Sequence, residues 1–342
     1  MNNKVLLFRG LFFFIVILIQ ACISPLGDHV DDNLSDQYYY DHNKENILYC
    51  KAGMWPDFGA NNIKADVKTF KVLSGNFGKD KDNIFFQNGI INDERIDKES
   101  FNVVAGYLSP GVCRDKKNVF IIGNAGEVVK VIKNVDTKTY VVKEMLVDYV
   151  ILWAKDKNNY YYKGSPVDVD YSTFKIQNSS FCMDANRVYY CSINKIKPFK
   201  ADMKSLKVFA YKYMYDKDYV YWYVDYKYRV YGDEESAEFI DSLIKIKYKD
   251  ANSLREIASS YIKIDNTIYC QGFKMKEIDV NSYEFVSQYY IKDKDHVFYL
   301  GNVIPKADVA SFEAHREGMG WKDKNNYYRY GKVIEKDSAV TY

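Results

Sequence analysis

The stretch that decides the fold is Asp156-Lys-Asn-Asn-Tyr-Tyr-Tyr-Lys-Gly164, because it recurs along the whole chain. Close copies begin at Asp80, Asp293 and Asp323. Weaker copies begin at Asp41, Asp115, Asp184, Asp216 and Asp265, which makes nine in all. A sequence that repeats in this way predicts small structural units, each of which must stack on its neighbours to bury its apolar side chains.

A second motif alternates strictly with the first. It consists of an Asp, two further residues, a Ser or Thr, and a large apolar residue. Its eight copies begin at Asp66, Asp97, Asp136, Asp170, Asp202, Asp250, Asp279 and Asp308. Where the array is most compact, Asp156, Asp170 and Asp184 follow one another at intervals of 14 residues. The smallest unit therefore has two halves, one for each motif.

Both motifs join turn residues to strand-forming residues. Asp and Asn side chains bond nearby backbone N–H groups in turns, and the aromatic run that follows favours a strand. A pair such as Asn88-Gly89 or Lys163-Gly164 then reverses the chain, since glycine adopts positive φ without strain. The Asp…Ser/Thr motif closes another turn before the next short strand. Each unit is therefore expected to contain four strands.

These features predict an all-β fold of about eight to nine tandem hairpin or meander repeats over residues 38–342. An open, solenoid-like array is favoured, because the compact units are shorter than the ~40–50 residues of usual propeller blades. The alternative is a closed β-propeller. In that case Tyr38-Tyr39-Tyr40 would complete a truncated last unit at residues 323–342 and close the ring.

The run Asp156-Lys-Asn-Asn-Tyr-Tyr-Tyr resembles the repeat of the bacterial DKNYY family, and the resemblance covers about residues 41–342. That family is functionally uncharacterised. The resemblance therefore implies no catalytic residues for this chain.

The N-terminal residues predict a lipoprotein signal peptide over residues 1–21. Lys4 and Arg9 give a positive start, and the apolar run at residues 11–19 is too short to span a bilayer. The sequence Ile19-Gln20-Ala21-Cys22 resembles a lipobox, so Cys22 is the expected lipidation site. The alternative is an ordinary signal peptide near a free cysteine.

Residues 22–37 are polar, and we expect the lipidated cysteine to be followed by a flexible tether there. Because residue 23 is Ile and not Asp, lipoprotein sorting rules favour the outer membrane in a double-membraned bacterium. We therefore expect a protein of the cell envelope, attached to the membrane through its lipid anchor.

Charge and motifs exclude several classes of function. The chain carries 48 Lys and Arg against 46 Asp and Glu, so no basic excess indicates a nucleic-acid partner. Asp-x-Asp pairs such as Asp80/Asp82 lack the glycine and the distal acid of a calcium loop. The four histidines do not recur at any motif position, and no nucleophile motif is present. We expect no catalytic residues, metal or cofactor.

Five cysteines follow Cys22, and Cys182 and Cys191 flank one turn. They are the most plausible disulfide pair, because an envelope location permits oxidation. The repeat register makes them diagonal neighbours, about 7–8 Å apart, whereas a disulfide favours less than about 7 Å. The pairing is therefore left open, and an odd number of cysteines leaves at least one free thiol.

The 33 tyrosines suggest an aromatic surface. Alternation along a strand would place some of these rings on an exposed face, and the candidate binding face is Tyr160, Tyr162, Tyr327 and Tyr328. The first hypothesis is therefore a non-enzymatic binding or scaffold protein that uses a Tyr-rich β-repeat surface to recognise a glycan or an envelope protein. The alternative is an envelope hydrolase with its site in the irregular unit at 216–250, where regularity fails.

Overall fold

The computed structural model describes residues 24–105, 111–145, 151–210, 212–228, 237–315 and 320–335. Nine antiparallel sheets of four strands follow one another along the chain, and neighbours in sequence are neighbours in each sheet. The predicted all-β array of tandem meanders is confirmed. The predicted signal peptide and Cys22 lie outside the described residues.

The chain divides into two compact units, and the first covers residues 1–167. It contains sheets 1 to 4, whose strands are β1–β4 (Leu26–His29, Tyr38–Asp41, Ile47–Tyr49, Asn61–Asn62), β5–β8 (Lys71–Ser74, Phe77–Lys79, Ile84–Phe86, Gly89–Ile90), β9–β12 (Asn102–Ala105, Gly111–Arg114, Val119–Ile122, Val128–Ile132) and β13–β16 (Val141–Met145, Ile151–Lys155, Tyr160–Tyr162, Ser165–Pro166). A 3-10 helix at Lys51–Gly53 and the short helix α1 (Trp55–Phe58) lie between β3 and β4.

The second unit covers residues 168–342 and contains sheets 5 to 9. Their strands are β17–β20 (Lys175–Ile176, Phe181–Met183, Val188–Cys191, Ile196–Phe199), β21–β24 (Lys207–Phe209, Tyr213–Tyr215, Tyr219–Tyr228, Ala237–Lys247), β25–β28 (Arg255–Ala258, Tyr261–Ile264, Thr267–Cys270, Phe273–Lys274), β29–β32 (Glu284–Phe285, Tyr290–Lys292, Val297–Tyr299, Asn302–Val303) and β33–β36 (Glu313–Ala314, Trp321–Lys322, Tyr327–Arg329, Lys332–Ile334). Short 3-10 helices precede β25 at Ala251–Ser253 and β33 at Val309–Ser311.

The first motif occupies the same place in all nine described sheets, and the second motif precedes the first strand of sheets 2 to 9. In sheet 5 the Asp184 turn connects the second strand to the third, and the Asp170 turn leads into the first strand. The turn between the third and fourth strands of sheet 4, which we call its 3–4 turn, has Lys163 and Gly164 at positive φ, as a tight hairpin requires. The turn residues of the sequence therefore set the strand boundaries.

The strand pairing that would close a ring is not formed, and that part of the propeller alternative is wrong. Tyr38–Asp41 pairs with Leu26–His29 on one side and with Ile47–Tyr49 on the other, so it belongs to sheet 1. Sheet 9 has four strands of its own between Glu313 and Ile334. β1 (Leu26–His29) lies before the expected boundary at residue 38 and supplies the outer strand of sheet 1.

The core lies between consecutive sheets. Phe77 and Phe86 of sheet 2, for example, pack with Cys113 and Phe120 of sheet 3 in one buried cluster. The third strand of several sheets is therefore covered on both faces, and all three residues of Ile84–Phe86 and of Val297–Tyr299 are buried. Stacking thus supplies the burial that one small sheet cannot achieve alone.

Candidate functional site

The first motif aspartate is a buried hub of hydrogen bonds, and Asp216 shows its geometry. Its Oδ1 accepts the backbone N–H groups of Asp218 and Tyr219, both at 2.9 Å. Its Oδ2 accepts the backbone N–H of Asp202 at 2.8 Å and the hydroxyl of Tyr221 at 2.6 Å. The carboxylate therefore holds its own turn and also the turn that enters the sheet.

The second motif completes this arrangement, which we call the aspartate staple. It consists of the two motif aspartates of one sheet, the Ser or Thr of the second motif, and the Lys that directly follows the aspartate of the first motif. Ser205 Oγ accepts the N–H of Lys217 at 3.0 Å, and Lys217 Nζ lies 2.9 Å from Asp202 Oδ2. The bond between the two aspartates recurs in the pairs Asp66–Asp80, Asp97–Asp115, Asp136–Asp156, Asp170–Asp184, Asp279–Asp293 and Asp308–Asp323.

The staple explains the sequence of the repeat position by position. The Asp of the first motif accepts hydrogen bonds from the backbone of both turns. The Lys after it forms an ion pair with the Asp of the second motif, and the Asn residues form the turn. The aromatic residue five places after the Asp donates its hydroxyl where it is a tyrosine, as in Tyr161, Tyr189, Tyr221 and Tyr328. The repeat is therefore a device for stability, and its recurring Asp and Ser are not a catalytic dyad.

The staple also accounts for the Asp-x-Asp pairs without a cation. The oxygens of Asp216 already accept four hydrogen bonds. Burial alone would raise the pKa of Asp216, but the bonds from Tyr221 and the backbone lower it below its usual value. Across the described residues, no group of three or more His, Cys, Asp or Glu side chains is placed to hold a metal ion.

The irregular unit at 216–250 is a long hairpin formed by β23 and β24. Near its middle Asp241 has φ of 42°, an unusual backbone for a residue other than glycine inside a strand. Its Oδ1 accepts the hydroxyls of Ser192 at 2.6 Å and Tyr223 at 2.9 Å, and Lys197 Nζ lies 2.8 Å from Oδ2. The strained residue therefore fastens the hairpin to sheet 5.

Asp241 is poorly suited to act as an acid in a hydrolase. Burial opposes its ionisation, yet the bonds from Lys197, Ser192 and Tyr223 together lower its pKa to about 2. A general acid needs a pKa near the working pH, whereas this carboxylate stays ionised. Its role is to hold the hairpin.

Two residues of the predicted aromatic face belong to the core. Tyr162 and Tyr328 are only 3% and 0% exposed, and Tyr328 donates its hydroxyl to Asp323. Tyr160 and Tyr327 are half-buried. Alternation along a strand predicts one open side, but Tyr162 packs against the ring of Trp153 at 4.9 Å, and Tyr328 lies in a buried cluster with residues of sheet 8. Ligand binding by Tyr160 and Tyr327 stays a prediction.

Sequence reasoning missed an aromatic cavity between sheets 8 and 9. Its volume is about 430 Å³, within the range of small-molecule sites. Its lining residues are Tyr289, Tyr290, Tyr299, Gly320, Trp321, Arg329 and Tyr330. The cavity therefore combines five aromatic rings with one cation.

The two sheets fix the walls of this cavity. The rings of Tyr290 and Trp321 are 5.0 Å apart and inclined by 34°, and Tyr290 and Tyr299 are 4.8 Å apart. The hydroxyl of Tyr290 accepts the N–H of Gly331 at 2.9 Å, which ties sheet 8 to the 3–4 turn of sheet 9. The site is thus preformed by the same stacking that builds the core.

A signal for the cavity was present in the repeat. Three residues before the motif aspartate the chain usually has an aromatic side chain, such as Phe181, Tyr213 or Tyr290, but sheet 9 has Gly320. A Cβ there would lie 2.9 Å from the carbonyl oxygen of Tyr328, so the close backbones require glycine. The missing ring leaves space where other sheets are filled.

The predicted disulfide pair lies within sheet 5. Cys182 is paired with Tyr189, and Cys191 lies two residues further along that strand, so the cysteines are diagonal as expected. Both thiols are buried. The pKa of Cys182 is raised well above its usual value, mainly by burial and to a smaller extent by a hydrogen bond with Cys191. The bridge itself stays a prediction.

Comparison with known proteins identifies one relationship. A model of the DKNYY family matches residues 94–225 and 200–332. No curated protein and no solved structure shows significant similarity. Within the described part of the chain, no helix is both long and apolar enough to cross a membrane. The family match spans most of the chain and coincides with the repeats that build the staples, and the chain belongs to the DKNYY family.

Proposed function

We propose that this protein is a lipid-anchored, non-enzymatic protein of the cell envelope that binds a sugar ring in the cavity between sheets 8 and 9. The anchor rests on the lipobox-like sequence at Cys22, with the outer membrane as the proposed destination. The binding role is carried by one observation, the aromatic cavity with its ordered walls.

A sugar ring suits these walls because its C–H faces pack on aromatic rings while its hydroxyls need polar partners at the rim. Trp321 is only partly buried and supplies a ring face. Arg329 and the tyrosine hydroxyls supply donors and acceptors. The cavity therefore offers both kinds of contact that a pyranose needs.

Tyr330 adds a second indication of binding. It has φ of 51°, and its side chain is 54% exposed at the edge of the cavity. Asn tolerates this backbone better than Tyr does, so the turn alone gives no reason for a ring. The same backbone occurs at this turn position in Lys163, Gln271 and Leu300, so it belongs to the repeat, and the exposed ring beside the cavity is what distinguishes sheet 9.

The binding test uses the full-length protein in detergent and follows tryptophan fluorescence during titration with neutral and acidic monosaccharides and disaccharides. We expect saturable quenching that Trp321→Phe abolishes. Tyr330→Asn should weaken binding at least severalfold while the protein becomes slightly more stable, by part of the ~1 kcal/mol that left-handed backbone costs.

Lys163→Asn is the matched control. Lys163 has φ of 48° and precedes Gly164, so it occupies the same turn position in sheet 4, away from the cavity. It should give the same gain in stability and leave binding unchanged. Absence of quenching by every sugar, or quenching that survives Trp321→Phe and Tyr330→Asn, would exclude this cavity as the site.

The anchor is tested separately in cells. Replacing Cys22 by Ala should move the protein from the membrane fraction to the soluble fraction, because lipidation needs the thiol. A Cys270→Ser variant, which removes a cysteine from within the fold, is the control and should remain with the membrane. Retention of Cys22→Ala in the membrane would refute the anchor.

A further inference from the structure

We infer that the ring bound between sheets 8 and 9 carries a carboxylate, so that the ligand is an acidic sugar such as a uronic acid. This inference rests on the proposed function and specifies its ligand class. Arg329 is the one charged side chain among the described residues that line the cavity. The lining therefore favours an anionic group and disfavours a cation.

The position of Arg329 in the repeat supports this choice. Six residues after the motif aspartate, five of the other eight sheets have an aromatic side chain, namely Phe86, Tyr162, Tyr190, Trp222 and Tyr299. In sheet 9 this position holds Arg329, which lines the cavity. Arginine is therefore a departure from the repeat at the point where a ligand would be held.

Three departures meet at this one cavity. Gly320 leaves out an aromatic ring, Arg329 replaces an aromatic ring by a charge, and Tyr330 places an exposed ring at a turn position that holds Gln, Lys or Leu in other sheets. A unit that only continued the stack would not need this combination. Together they leave a space, line it with aromatic rings and place a cation beside it.

The chemistry of the guanidinium group specifies a carboxylate. Its planar fork donates two parallel hydrogen bonds to the two oxygens of a carboxylate, and these charge-assisted bonds are stronger than neutral ones. Arg329 is partly buried, so less water competes for its donors. The aromatic walls would then hold the ring while Arg329 selects its charge.

The experiment compares glucuronate with glucose, which share the same pyranose ring and differ only at the exocyclic carbon C6. The full-length protein in detergent is titrated with each sugar, and saturation-transfer NMR and tryptophan fluorescence report binding. We expect glucuronate to bind at least tenfold more tightly than glucose, since a hydrogen-bonded charge pair contributes about that factor or more.

Two variants separate the recognition by Arg329 from a general effect of charge. Arg329→Gln should reduce glucuronate affinity about tenfold and glucose affinity much less, because the Gln amide can still donate to a sugar hydroxyl but carries no charge. Lys332→Gln, an exposed residue of β36 paired with Arg329, removes the same charge outside the cavity. It should change neither affinity by more than about twofold, the small effect expected of an exposed charge in screening salt.

The outcomes distinguish this inference from the proposed function. Equal affinities for the two sugars, or equal losses in Arg329→Gln and Lys332→Gln, would overturn the acidic ligand while sugar binding stands. Failure of both sugars to bind would overturn the proposed function and the inference together. Glucuronate selectivity that depends on Arg329 alone would support both.

Discussion

The strongest test of the fold replaces Asp216 by Asn, because this change keeps the size of the side chain and removes its charge. Four donors converge on the carboxylate: the N–H groups of Asp202, Asp218 and Tyr219 and the hydroxyl of Tyr221. An asparagine amide has one acceptor oxygen and an NH2 group that can only donate. The arrangement cannot be kept intact.

The expected loss follows from these contacts. A hydrogen bond to a charged group contributes about 1.5–3 kcal/mol and a neutral one about 0.5–1.5 kcal/mol, so the two turn bonds lose about 2 kcal/mol in total. The NH2 group would then face the N–H of Asp202, and leaving that buried donor unpaired costs a further ~1–3 kcal/mol. We expect Asp216→Asn to lower the free energy of unfolding by about 3–5 kcal/mol.

Tyr221→Phe is the matched comparison. It removes one of the four bonds, and Phe already occupies the equivalent buried position in other sheets as Phe85, Phe120 and Phe298. The ring should therefore fit, and the loss should be about 1.5 kcal/mol, at the lower end for a bond to a charged group.

Urea unfolding followed by tryptophan fluorescence measures both changes, and buried Trp222 on the next strand position reports on this sheet. The free energy of unfolding should be highest for the wild type, lower for Tyr221→Phe and lowest for Asp216→Asn. If both variants unfold within about 0.5 kcal/mol of wild type, the size of an ordinary surface change, the staple does not stabilise the fold.

Three further predictions concern pH, a new staple bond and the thiols. Because the pKa of Asp156, Asp184, Asp216 and Asp323 is lowered in the fold, their contribution should be complete above the unfolded value of ~3.9 and be lost as pH falls below it; urea midpoints between pH 3 and 6 test this, and a midpoint that rises on acidification would contradict it. Phe298→Tyr, five residues after Asp293, should supply the missing hydroxyl and raise stability by up to about 1 kcal/mol; a loss above that size would show that the hydroxyl cannot reach the carboxylate. If Cys182 and Cys191 form a bridge in the oxidised protein, alkylation after denaturation should label two thiols fewer than in the reduced protein. Cys191→Ser should remove this difference, and Cys270→Ser should not. Equal labelling of the oxidised and reduced protein would refute the bridge.

Local features of the fold could be predicted because they are written in short stretches of sequence. Asp184 with Asn186 marks a turn, Lys163-Gly164 marks a hairpin, and the aromatic runs between such turns mark strands. The four strands per unit follow from these signals alone.

Long-range features could not be predicted in the same way. The bond between Asp202 and Asp216 joins two turns whose proximity depends on the pairing of the intervening strands. The burial of Tyr162 depends on side chains outside its own strand, such as Trp153, and no alternation within three residues contains that information. Which tyrosines are exposed is therefore a property of the stack.

The repeat also indicates where to look for function, because its regular positions are already explained by the staple and the core. Two regions depart from it, the long hairpin around Asp241 and the turn residues of sheet 9. At Asp241 the strained backbone is accompanied by three donors that saturate the carboxylate, so the departure serves the fold. At Arg329 and Tyr330 the departures line a space instead of filling it. An exposed ring beside a cation contributes little to folding, and recognition of a ligand gives both residues a reason to be there.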